Sequence, residues 1–109
     1  MQRIRVCAIG CGNVGKKVVE AIGAAPDMEL AGIVEVPQNI AKTRKLYPGI
    51  AVEDHVSKLQ DVDVAVLAVD SKVTSRVAQE CLRLGINTVD PYDTYSEPFL
   101  KYKESLHKT

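Results

Sequence analysis

The stretch "RIRVCAIGCGNVGKKVVEAI", residues 3–22, decides the fold of this 109-residue chain. Its first part is short, mostly apolar and rich in β-branched residues, which predicts a strand. Apolar side chains then recur with helical spacing, which predicts a helix whose buried face carries Val14, Val18, Ala21 and Ile22. Three glycines lie between the two elements. The stretch therefore predicts a strand, a glycine-rich turn and a helix.

Outward from this stretch, strands continue to alternate with helices. Further strands are predicted over residues 28–35, 50–54, 62–69 and 86–90, with helices from residue 39, over 71–85 and over 99–108. The strand over 62–69 is almost wholly apolar, as expected when both faces of a parallel sheet are covered. This alternation predicts an α/β fold, a Rossmann-type doubly wound parallel sheet of about five strands. Residues 1–109 are expected to form one minimal or truncated domain.

The glycine turn has the spacing G-x-G-x-x-G, which is weak evidence by itself. Its context strengthens it, because a strand precedes it and a helix follows. Gly10 would permit the tight turn, Gly12 would let the backbone approach a pyrophosphate, and Gly15 would let the helix pack close to the strand. The helix N-terminus, with Asn13 and Val14, would face the phosphates. The turn therefore predicts a dinucleotide-binding site.

Glu35 ends the second predicted strand, about 20 residues beyond the turn, where such sites place an acidic residue. A carboxylate there accepts hydrogen bonds from the ribose hydroxyls of NAD and repels the 2′-phosphate of NADP. NAD is therefore the favoured cofactor and NADP the alternative. The nearest cations are Lys42, Arg44 and Lys45, which either reach a phosphate or form a solvated helical face.

Other acidic and hydroxyl residues follow the later strands. Asp70 and Ser71 come after the fourth strand, and they would either contact the cofactor or cap the next helix. Asp90 and Asp93 follow the fifth strand within "VDPYD". By composition alone these two carboxylates are better explained as turn residues around Pro91.

Three segments together resemble the N-terminal part of meso-diaminopimelate dehydrogenase. They are the glycine-turn region through Glu35, "DVDVAVLAVDSKVT" and "TVDPYDTYSEP". The first is shared with the wider Gfo/Idh/MocA-type oxidoreductases, whereas "VDPYD" is more particular to the diaminopimelate enzymes. The resemblance implies NADP-dependent oxidative deamination, with hydride passing to the nicotinamide and water hydrolysing the imine. It implies a substrate-side role for Asp93, with Asp90 close by.

The chain departs from that family in two respects. The family's cofactor loop usually has a serine and arginines where this chain has Glu35, Val36 and Pro37. The family also continues into a substrate and dimerisation domain, so we expect cofactor binding with little or no turnover from this chain alone. Two alternatives stay open: a stand-alone NAD(H)-binding regulatory module, and a sugar oxidoreductase domain. The latter is disfavoured because no lysine lies between Lys72 and Lys101.

Charge and composition limit the classes of binding partner that are expected. Fourteen basic and fourteen acidic side chains cancel, which predicts no general attraction to nucleic acid or to a membrane surface. The odd number of cysteines and the absence of a signal-like N-terminus predict a cytoplasmic protein without a disulfide framework or metal site. A small amino-acid substrate is expected only together with the further domain. Homo-oligomerisation stays open.

Overall fold

The computed structural model describes residues 3–69 and 71–90. Five strands, three α-helices and two short 3₁₀-helices follow one another along this part of the chain. In order they are β1 (Ile4–Ile9), α1 (Asn13–Ala24), β2 (Met28–Val34), a 3₁₀-helix (Pro37–Asn39), α2 (Ile40–Leu46), β3 (Val52–Glu53), a 3₁₀-helix (Val56–Lys58), β4 (Val64–Leu67), α3 (Ser71–Arg83) and β5 (Asn87–Val89). The helix predicted over 99–108 lies outside the described residues.

The strands form one parallel sheet in the order β3-β2-β1-β4-β5. The chain moves from β1 outward to β2 and β3, then returns to the other side of β1 to form β4 and β5. This reversal places the topological switch between β1 and β4, at whose carboxyl ends ligands of such sheets bind. The predicted doubly wound parallel sheet is therefore confirmed.

Both faces of β1 are covered, which explains its nearly continuous apolar sequence. On one face, Ala8 packs with Ile33 of β2 and Val19 of α1. On the other face, Cys7 and Ile9 pack with Cys81 of α3 and with other buried residues. Because the period of a strand is two, alternate residues of β1 serve the two layers of the core.

The buried face of α1 differs from the sequence prediction. The buried residues are Gly15, Val19 and Ile22, whereas Ala21 is exposed. The predicted burial of Ala21 is therefore wrong. The reason lies at the start of the helix, where Gly15 closely approaches the backbone of Gly10. The face of the helix that carries Gly15, Val19 and Ile22 is therefore turned toward the sheet.

Two predicted strands are shorter than expected. β3 has two residues, and β4 begins at Val64 because the side chain of Asp63 takes part in the pairing instead. One Asp63 oxygen, Oδ2, accepts a 2.8 Å hydrogen bond from the Arg5 amide, and the Asp63 amide donates to the Arg5 carbonyl at 2.8 Å. The polar side chain thus ends the ladder at the edge opposite the glycine turn.

Candidate dinucleotide-binding site

The glycine turn leaves β1 at the switch point of the sheet. The Gly10 amide donates a 2.8 Å hydrogen bond to the Val34 carbonyl, which fixes the turn beside the end of β2. Gly10 has φ +92°, and a Cβ there would lie 2.5 Å from the carbonyl oxygen of Ala68. This position therefore excludes a side chain for two reasons, its left-handed backbone and its contact with the segment after β4.

The other two glycines have different surroundings. A Cβ on Gly15 would overlap the carbonyl oxygen of Gly10, so this glycine permits close packing of α1 on the turn. Gly12 has an extended backbone, and a Cβ there would meet no atom of the described residues within 4 Å. The packing of this described part therefore gives no reason for a glycine at position 12, whereas a ligand that approaches the backbone would.

The N-terminus of α1 has no side-chain cap. Gly12 occupies the N-cap position, and the first turn contains no acidic residue. The Lys16 amide makes a 2.9 Å hydrogen bond to the Gly12 carbonyl, so the amides of Asn13, Val14 and Gly15 precede this bond and have no acceptor within the helix. Such amides, together with the helix dipole, form a suitable site for an anion.

Glu35 follows β2 directly and is half-buried next to the turn. Its amide donates to the Glu53 carbonyl at 2.9 Å, which continues the pairing of β2 with β3. One carboxylate oxygen, Oε2, accepts a 2.9 Å hydrogen bond from the Thr43 hydroxyl of α2. Since the Gly10 amide binds the carbonyl of Val34, the turn and the acidic residue lie at neighbouring strand ends, as the sequence predicts.

A cavity of about 500 Å³ opens beside Gly10 and Glu35. Its apolar walls come from the segments after β2, β3 and β4 and from α3. These wall residues are Val36, Pro37, Val56, Val69, Val73 and Val77. An apolar slot next to a carboxylate and a glycine turn suits a flat aromatic base whose attached ribose and phosphates reach the turn.

The charged rim of the cavity is a feature that sequence reasoning missed. Arg76, Glu80 and Arg83 of α3 line it, together with Asp54 and His55 from the segment after β3. The His55 Nδ1 atom lies 3.9 Å from Oε2 of Glu80. The spacing of Val73, Val77 and Glu80 on one helical face is the signal that could have identified the α3 wall.

The three basic residues of α2 have different surroundings. The Arg44 guanidinium donates a 3.0 Å hydrogen bond to the Val52 carbonyl and lies 3.9 Å from a Glu53 carboxylate oxygen. Lys42 and Lys45 are exposed on the helix surface and are not part of the cavity wall. A solvated helical face, anchored to β3 by Arg44, describes this cluster.

The remaining predicted site residues are placed only in part. Ser71 begins α3, and Asp90 follows β5 in a half-buried position, so both lie at the carboxyl edge of the sheet. Asp70 and Asp93 lie outside the described residues. The structure thus brings Gly10, Gly12, Asn13, Val14, Gly15 and Glu35 together.

The three cysteines differ in accessibility. Burial is the main cause that raises the pKa of Cys7 to about 12 and that of Cys81 to about 11, and both side chains are fully buried. Cys11, in the glycine turn, is half-buried. Burial also raises the pKa of Cys11, with a further increase from Glu35 and an opposing hydrogen bond from Tyr47.

We therefore expect iodoacetamide to modify only Cys11 in the folded protein, and slowly at pH 8, because the thiolate is the reactive form and a raised pKa keeps its fraction low. The rate should still increase above pH 9. Mass spectrometry of the labelled peptides measures this, and labelling in guanidinium chloride, where all three cysteines should react, is the control. Labelling of Cys7 or Cys81 in the folded chain at the rate of Cys11 would contradict the burial described here.

Within residues 3–69 and 71–90, none of the helices has the length and apolar character that crossing a bilayer requires.

Comparison with known proteins supports the fold and the relationship. A family model described as a CoA binding domain matches residues 1–89. Meso-diaminopimelate D-dehydrogenase of Bacteroides fragilis is 40% identical over 96 residues, which cover 88% of this chain and 32% of that enzyme. The chain thus spans about a third of the length of this curated relative. The resemblance inferred from the glycine turn and from "VDPYD" is confirmed.

Two solved structures share the architecture. The WlbA dehydrogenase of Bordetella pertussis, solved with NADH and UDP-GlcNAcA, matches with a TM-score of 0.81 and 23% identity over 98% of this chain and 35% of its own. A 3-ketoreductase of Actinomadura kijaniata, solved with TDP-benzene and NADP, matches with a TM-score of 0.77 and 19% identity over 98% of this chain and 36% of its own. At these identities the likeness is one of fold.

Proposed function

This chain belongs to the CoA-binding domain family and is homologous to the N-terminal domain of meso-diaminopimelate dehydrogenases, and from this premise we propose that it binds a nicotinamide dinucleotide for an amino-acid dehydrogenase. One observation carries the proposal. The bare glycine turn at the start of α1 lies beside Glu35, at the switch point of the sheet. The glycine turn suits a pyrophosphate, and Glu35 suits a ribose. Glu35 follows the turn by about 20 residues, which is the separation that dinucleotide-binding sites have.

The residues present fit such a cofactor. The amides at the start of α1 would bind the pyrophosphate, and the missing side chain of Gly12 would let it approach. Glu35 would accept hydrogen bonds from the adenosine ribose, and the valines between Val69 and Val77 would cover the adenine. When bound, the nicotinamide supplies a hydride acceptor or donor.

The preference for NADH over NADPH rests on charge. The carboxylate of Glu35 repels a 2′-phosphate, and Arg44, one of the cations of α2 that could offset it, is engaged with β3. The cofactor-bound relatives by fold were solved with NADH in one case and NADP in another, so they do not decide between the two.

The substrate side of the proposal rests on Asp90 and Asp93. An amino-acid substrate carries an ammonium group, and a carboxylate next to it in a water-poor cleft would bind it strongly. Asp90 lies at the carboxyl edge of the sheet, where a substrate would meet the nicotinamide. We assign the substrate contact to Asp93 and a weaker contribution to Asp90, within a protein that includes a further substrate domain.

The name of the matched family supplies a competing ligand. Coenzyme A shares the adenosine diphosphate part of NADH, so the same turn and cavity would accommodate it. It carries an additional phosphate on the same ribose, which the carboxylate of Glu35 would oppose as it opposes the phosphate of NADPH. We therefore expect NADH to bind more tightly than either coenzyme A or NADPH.

Isothermal titration calorimetry of the wild-type chain with NADH, NADPH and coenzyme A tests this order. NADH should bind most tightly, and Glu35→Ala should weaken NADH about 10-fold while NADPH binding is unchanged or improved, because the ribose acceptor and the repulsion disappear together. Glu29→Ala is the matched control, since Glu29 lies at the opposite end of β2, exposed and paired with Arg5 at 3.1 Å.

Three outcomes would count against the proposal. If neither dinucleotide binds the wild-type chain, the site does not bind this class of cofactor. If coenzyme A binds more tightly than NADH, the ligand of this site is coenzyme A, as the family name suggests, and not a nicotinamide dinucleotide. If NADPH binds at least as well as NADH, the assignment of specificity to Glu35 is wrong.

A further inference from the structure

We infer that Thr43 is a positioning residue that orients Glu35 for ribose recognition and thereby sets the preference for NADH over NADPH. The inference rests on the proposed function, since it concerns the same site. Thr43 would not touch the cofactor itself. It would act through the carboxylate of Glu35, to which it is hydrogen-bonded.

The hydrogen bond joins Glu35, which lines the cavity, to a buried residue of α2. The Thr43 hydroxyl donates to Oε2 of Glu35 at 2.9 Å, and Thr43 is only 3% exposed. A bond to a charged acceptor in such partly buried surroundings is stronger than one in water. The backbone of Glu35 is held as well, because its amide donates to the Glu53 carbonyl at 2.9 Å. Both ends of the residue are therefore fixed.

This arrangement leaves one carboxylate oxygen for a ligand. Among the residues that the structure describes, Oε1 of Glu35 accepts no hydrogen bond, while Glu35 itself lines the cavity beside Gly10. A free glutamate side chain samples several rotamers. One whose Oε2 is bound to Thr43 keeps its Oε1 in a narrow range of positions. The hydroxyl thus prepares the acceptor for the ribose before the cofactor arrives.

The Thr43 hydroxyl donates to a side chain outside its own helix, which is unusual for a helical threonine. A threonine within a helix commonly donates to the carbonyl four residues earlier. The hydroxyl of Thr43 instead reaches out of α2 to a side chain eight residues earlier. The helix has seven residues and would not be stable alone, so its position depends on tertiary contacts. Arg44 supplies one of them through its 3.0 Å bond to the Val52 carbonyl.

The specificity follows from the fixed position of the charge. A carboxylate held at the ribose accepts from its hydroxyls and also meets any 2′-phosphate at short range. If the side chain could swing away, the acceptor would be less available to NADH and the repulsion of NADPH would weaken. Loss of the Thr43 hydroxyl should therefore weaken NADH binding and leave NADPH binding unchanged or stronger.

Three variants of Thr43, examined by calorimetry with NADH and NADPH, test the inference. Thr43→Val keeps the shape and removes the donor, and it should weaken NADH binding about 5-fold to 10-fold without weakening NADPH. Thr43→Ser keeps the donor and should restore NADH binding to within about twofold of wild type. Thr43→Ala also removes the donor and is favourable in a helix. It should weaken NADH binding in the same way, and it replaces the valine variant if that variant does not fold.

A double-mutant cycle separates positioning from a general structural role. In the Glu35→Ala background, Thr43→Val should cause no further loss of NADH binding, because the group through which Thr43 acts is absent. If Thr43→Val weakens NADH and NADPH equally, or weakens NADH as much without Glu35 as with it, Thr43 has only a structural role. An unchanged NADH affinity in Thr43→Val would also overturn the inference. Failure of the wild-type chain to bind either dinucleotide would refute the proposed function instead.

Discussion

Replacing Gly12 by alanine should abolish most of the NADH affinity of this chain while leaving its fold intact. Within residues 3–69 and 71–90, a Cβ at this position would meet no atom within 4 Å, and the extended backbone of Gly12 is one that alanine adopts. The added methyl group would instead occupy the space through which a pyrophosphate approaches the amides at the start of α1. We expect NADH to bind about 10-fold to 100-fold more weakly.

The same substitution should lower the free energy of unfolding by only about 1 kcal/mol, the cost of replacing glycine by the poorer N-cap residue alanine. Calorimetric titration with NADH and thermal unfolding without it measure the two effects separately. Gly23→Ala is the matched control, because Gly23 lies in the same helix and its Cβ would also meet nothing within 4 Å in the part of the chain that the structure describes. A Gly12→Ala chain that binds NADH within twofold of wild type would show that the turn does not bind the pyrophosphate.

The three glycines of the turn and Glu35 could be found from the sequence because their roles are local. The turn follows from a strand, a helix and glycines at fixed spacing, all within residues 3–22. Glu35 follows from its position at the end of the next strand. The hydrogen bond from the Gly10 amide to the Val34 carbonyl then brings the two together, as parallel pairing of neighbouring strands requires.

Other parts of the site depend on contacts between distant segments, which a sequence pattern does not encode. The cavity lies between the segment after β2, the segment after β3 and α3, so its walls are set by the order of the strands in the sheet. Thr43 is one hydroxyl in a short polar helix, and only the docking of α2 against β3 reveals its acceptor. The rotation of α1, which exposes Ala21, depends likewise on the contact of Gly15 with Gly10.

Replacing Gly10 by alanine should have the opposite profile and destabilise the fold itself. Its φ of +92° is costly for any residue with a Cβ, and that Cβ would lie 2.5 Å from the carbonyl oxygen of Ala68 and 2.9 Å from a Val69 methyl group. Backbone strain and overlap together should lower the free energy of unfolding by about 2–5 kcal/mol. Since domains of this size are stable by only about 5–15 kcal/mol, the melting temperature should fall by roughly 10 °C or more.

Thermal and urea unfolding of the Gly10→Ala, Gly12→Ala and Gly23→Ala chains provides the comparison, because the chemical change is the same at all three positions. Gly23→Ala should be stabilised by about 0.5–1 kcal/mol, as expected for alanine in a helix. Gly10→Ala should be much less stable than either, because only at position 10 do a left-handed backbone and a neighbouring carbonyl coincide. If Gly10→Ala unfolds at the wild-type temperature, the turn can relax away from Ala68, and the close contact of β1 with the segment after β4 is not required for folding.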